Sequence, residues 1–148
     1  MKKFEGAEYN VEIGWDPNER PVYYVVARGN VPSARIAIEV MESAVREINS
    51  GPFDHVCAVY NLLAVERVPL LGRFLVNGRL ATSKTAHIVL GTTLEAARLI
   101  GSVLAVAGGT RLRTLDVCQK PEEIEASVSR WLALPDFARE RHVDKSNH

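Results

Sequence analysis

Two unbroken apolar runs, His55-Val56-Cys57-Ala58-Val59-Tyr60 and Ala86-His87-Ile88-Val89-Leu90-Gly91, constrain the fold of this chain more than any other feature. Each is too short for a buried helix, and the first follows the helix-stopping pair Gly51-Pro52. Neither alternates polar with apolar residues, so both read as strands covered on two faces, the pattern of central parallel strands. Between them, Pro69 to Leu80 reads as a helix opened by proline at a first-turn position. Strand, crossover helix and strand make a right-handed βαβ unit. An α/β fold follows from it.

The flanking chain extends this unit in order. Tyr9, Val11, Ile13 and Trp15 alternate with Glu8, Asn10, Glu12 and Gly14, which predicts a half-buried strand. Asp16 to Pro21 is a turn by its chemistry, and Val22 to Arg28 returns as the second arm of a hairpin. Asn30-Val31-Pro32-Ser33 starts a helix whose apolar face is Ala37, Met41, Ala44, Val45 and Ile48, with Glu39, Glu42, Arg46 and Glu47 toward solvent. After the central unit, Thr92-Thr93-Leu94-Glu95 fits a capping box, and Ala97, Ile100, Val103, Leu104 and Ala107 form the stripe of the helix it opens. Gly108-Gly109 stops that helix. Arg111 to Cys118 is more polar and suits a sheet edge beside Ala86–Leu90, where charge discourages edge-to-edge pairing. Lys120-Pro121-Glu122-Glu123 opens the last helix, with Ile124, Val128, Trp131 and Leu132 as its core face. The expected order is ββαβαβαβα: a five-stranded mixed sheet in one domain over 1–148, with its core in 8–134 and a flexible tail over 135–148.

Charge and cysteine usage narrow the function classes. Eighteen basic and eighteen acidic residues leave no net charge, which gives no support to a nucleic-acid partner. Cys57 and Cys118 fall in predicted strands rather than in a short-spaced motif, and read as small buried hydrophobes of a reducing compartment. Met1 to Glu5 lacks an apolar targeting core, and no run approaches the ~18 apolar residues of a membrane helix. The expectation is a cytoplasmic protein without a membrane partner.

The order of elements and the stretch Asn61-Leu62-Leu63-Ala64-Val65-Glu66-Arg67-Val68-Pro69-Leu70-Leu71-Gly72 resemble the STAS domain, and more closely its bacterial SpoIIAA-like branch. The family's segment reads Asp-Leu-Ser-Gly-Val, a short spacer, then Asp-Ser-Ser-Gly-Leu. It aligns without a gap, but Asn61 stands for the strand-ending aspartate, and Pro69, Leu70 and Leu71 stand for the Asp-Ser-Ser triplet. Leu62, Val65 and Gly72 keep the pattern. The resemblance implies a regulatory protein-interaction module, acting on a protein partner or on itself as a homodimer. Signalling members of the family are switched by phosphorylation of a serine at that helix N-terminus. Here leucine removes the acceptor, so the usual switch is not expected. Asn61, Leu70, Leu71 and Phe74 are the candidate interaction residues; Leu70 and Leu71 are either core or an exposed apolar partner patch.

Other chemistries find less in the sequence. Cys57 and His87 lie in adjacent predicted strands with His55 near, yet a histidine within an apolar strand is more often a satisfied core residue than a base. The four histidines have no metal-ligand spacing, and no phosphate- or dinucleotide-binding glycine pattern is present, so no metal or cofactor is expected. A small anionic ligand is the alternative, held by Thr92 and Thr93 where a helix N-terminus meets the carboxyl end of the sheet. The resemblance also extends to lipid-carrier domains, which places an apolar ligand behind Leu70 and Phe74 among the alternatives.

Overall fold

The computed structural model describes residues 1–31, 33–67, 84–93 and 115–135. The alternating stretch forms β2 (Tyr9–Trp15), which pairs antiparallel with β3 (Val22–Asn30) across the Asp16–Pro21 turn. Asp16 shapes that turn: its buried carboxylate accepts from the Asn18 N–H at 2.7 Å and from Arg20 Nε at 2.7 Å. Helix α1 (Ala34–Ser50) follows, capped by the Ser33 hydroxyl, which accepts from the Ile36 N–H at 3.4 Å. The two apolar runs become β4 (Val56–Arg67) and β5 (Thr85–Gly91), and the polar segment contributes β6 (Leu115–Cys118). Helix α2 (Pro121–Leu132) carries proline in its first turn with Glu122 and Glu123, as the sequence predicts.

The sheet order is β1-β2-β3-β4-β5-β6, with β3 to β6 all parallel and β6 at the far edge beside β5. The fold class is α/β with a mixed sheet. Among the described residues six strands stand where the sequence predicts five. The addition is β1 (Lys2–Glu5), antiparallel to β2 with Lys2 opposite Ile13 and Glu5 opposite Asn10. Its charged, non-alternating sequence gives no strand signal; the ladder to β2, Phe4 packed against the core and the Lys2 ammonium on Ser43 Oγ at 3.2 Å hold it instead.

The second correction concerns β4, which the sequence ends near Tyr60–Asn61. The strand runs on to Arg67, because β3 extends to Asn30 and keeps offering it a ladder. The predicted helices over 69–80 and 94–107, the residues 111–114 of the edge strand and most of the tail, 136–148, lie outside the described residues.

Helices lie on both faces of the sheet. Val40, Met41, Ala44 and Ile48 of α1 pack with Val11, Ile13, Tyr23, Val25, Val56, Ala58, Tyr60 and Leu90 on one face. On the other, Ile124, Val128 and Trp131 of α2 pack with Val22, Cys57, Val59, Ala86, Val89 and Cys118. Each fully buried valine, leucine or isoleucine contributes about 1.5–3 kcal/mol. The Tyr23 hydroxyl, buried under α1, donates to Glu47 of that helix; burial first, then this hydrogen bond, pushes the phenol upward.

Gly29 has a positive φ of 82°, and a Cβ there would run into the Glu8 carbonyl oxygen, which already accepts from the Asn30 N–H at 2.9 Å. Replacing Gly29 with alanine is expected to destabilise the domain by about 1–3 kcal/mol, measured by urea unfolding. An unchanged midpoint would mean that the backbone at this bend relaxes freely.

Candidate functional site

Three chemistry-bearing side chains meet where β5, β6 and α2 touch. β5 places His87 on the α2 face of the sheet, since residues 87, 89 and 91 share that face by the two-residue strand period. Asp116 lies on the same face of β6 as Cys118 and is the register partner of Val89. Helix α2 turns its buried stripe, Ile124, Ser127, Val128 and Trp131, toward both strands. The Ser127 hydroxyl donates to Asp116 Oδ2 and lies 3.1 Å from His87 Nε2. The same nitrogen is 3.6 Å from Asp116 Oδ2, and the His87 ring stacks on Trp131 with centroids 6.4 Å apart and planes 10° from parallel. Arg130 Nη2 completes the group at 3.4 Å from the carboxylate.

A serine, a histidine and an aspartate suggest a nucleophilic relay, but the wiring is different. In a relay the carboxylate holds Nδ1 while Nε2 takes the serine proton. Here serine and carboxylate both address Nε2, and the serine gives its only proton to the carboxylate. That assigns the proton on Nε2 to the imidazole, which donates to the serine oxygen. Ser127 is also only 1% exposed. The cluster is a hydrogen-bonded clamp between helix and sheet.

Burial alone would push the Asp116 carboxyl up. The Ser127 hydrogen bond, the His87 charge and Arg130 outweigh it and leave the group below its ordinary value of 3.8. Cys57 is the register partner of His87, which confirms their predicted adjacency. Burial first, and then the Asp116 charge, pushes its thiol up to about 12, so it is neutral and unreactive at physiological pH. Cys118 is shifted upward for the same reasons, and both are free and buried.

At the carboxyl end of the sheet, Asn61 is not the end of its strand. The β4–β5 ladder stops where Asn61 faces Gly91, and an extra residue enters β4 between the pairs Val26–Asn61 and Arg28–Ala64. The Asn61 side-chain oxygen is used locally, accepting from the Leu63 N–H at 3.3 Å. Ile124 of α2 closes over Gly91: a Cβ there would sit 2.6 Å from Ile124 Cδ1 and 3.3 Å from Leu63 Cγ. Thr92 is buried, and its N–H donates to the Cys118 carbonyl of the neighbouring strand at 2.9 Å. Thr93 is exposed. Leu70, Leu71 and Phe74 lie outside the described residues; of the predicted set, Asn61 faces Gly91 at the end of the β4–β5 ladder, and Thr92 and Thr93 follow Gly91 in the chain.

Sequence reasoning missed Ser127 and Asp116. The signal for the first was present: a serine three residues after Ile124 and four before Trp131 occupies the apolar stripe itself. Asp116 carried none, since an acid in an edge strand ordinarily faces solvent.

Among the described residues, no three histidine, cysteine, aspartate or glutamate side chains converge as metal ligands, and no helix is long and apolar enough to cross a membrane. No protein-family model, curated protein or solved structure significantly matches the chain.

Two outcomes check the clamp. Ser127→Ala removes a donor from a charged acceptor and should cost about 1.5–3 kcal/mol in urea unfolding; a loss within a few tenths of zero would mean the hydroxyl is not engaged. Because folding depresses the Asp116 pKa, its contribution is present above the unfolded value near 3.8 and is lost as pH falls from there through the lower folded value. Between pH ~5 and ~2, Asp116→Asn should therefore flatten the decline in stability. Parallel pH profiles for variant and wild type would contradict this.

Proposed function

We propose that this chain is a STAS-like, SpoIIAA-like regulatory module of the bacterial cytoplasm, non-enzymatic and working by contact with a protein partner or a second copy of itself. The observation that carries the reading is the wiring of His87, Ser127 and Asp116: the side chains best suited to acid–base or nucleophilic chemistry are spent on holding α2 to the sheet. The element order ββαβ, then two further parallel strands and a closing helix, supports the likeness, with β1 as an addition at the hairpin edge. The long β4 weighs against a residue-by-residue transfer of the family motif, since Asn61 sits at a bulge rather than at the strand end.

The interaction surface in this proposal comprises Asn61 with Leu70, Leu71 and Phe74. Of the apolar stretch that motivates it, Leu62 and Val65 are core and Leu63 is half-buried under α2, so the partner contact falls to the leucines that follow. Regulation does not run through a phosphoserine there, because Pro69, Leu70 and Leu71 offer no hydroxyl. The alternative is a small anion held by Thr92 and Thr93 at the carboxyl end of the sheet.

Mass spectrometry tests the proposal in two steps. Native spectra of the purified protein should show protein-only species, with a dimer where the partner is a second copy; a stoichiometric small molecule carried through purification would favour the ligand-binding alternative. Incubation with an anti-sigma kinase and ATP should leave the intact mass unchanged. A phosphate mapped within Asn61–Thr93 would overturn the unswitched reading.

A further inference from the structure

We draw no further inference here: the strongest candidate, the buried His87–Ser127–Asp116 cluster at the seam of β5, β6 and α2, belongs to the site already described and is spent on holding that helix against the sheet.

Discussion

Cys57 and Val59 of β4 face α2 while Val56, Ala58 and Tyr60 face α1, so this strand must be covered twice. The same holds for β5, where Ala86 and Val89 meet one apolar cluster and Ile88 and Leu90 the other. A strand buried on both faces has no solvent side to set its register, and its backbone groups must all be paired within the sheet. β3 and β5 supply that pairing to β4, and the amphipathic helices supply the cover. The edges can then be poor in apolar residues: β1 brings Lys2, Lys3 and Glu5 to one side, and four-residue β6 closes the other.

The cover provided by α2 contains a polar seam. Placing Ser127 and His87 among Val128, Val89 and Trp131 carries a desolvation cost that is tolerable only with hydrogen bonds in place. Asp116 provides the acceptor from the edge strand, and its side chain is 42% exposed, so water keeps solvating the charge while the donors reach it from inside. The arrangement ties the four-residue edge strand β6 to α2 with more direction than apolar contact alone gives. It also raises the Cys57 thiol by placing a negative charge near an already buried sulfur.

The central strands, the hairpin, α1 and α2 were legible because each rests on a local pattern: unbroken apolar runs, alternation about a turn, an apolar helical face, a proline with acids in the first turn. β1 was not, since nothing within Lys2–Glu5 asks for a strand; its partner lies across a turn and its anchor, Ser43, is far along the chain. The length of β4 was hidden for a related reason: Asn61 and the bulge after it interrupt the apolar run, and the pairing that continues it comes from β3. At the site, the apolar run around His87 placed it in its strand. Its pairing with Ser127 was hidden because that serine lies 40 residues away in sequence and approaches only once α2 folds back on the sheet.

The central claim, that Ser127 and Asp116 act as one clamp rather than as separately placed polar residues, is tested most directly by a double-mutant cycle. Ser127→Ala, Asp116→Asn and the double variant would be compared with the native chain by urea unfolding at neutral pH. Residues in one hydrogen-bonded network couple by about 0.5–3 kcal/mol. The account predicts a coupling in that range, with the double variant losing less than the sum of the singles. Losses that add to within a few tenths of a kcal/mol would contradict it.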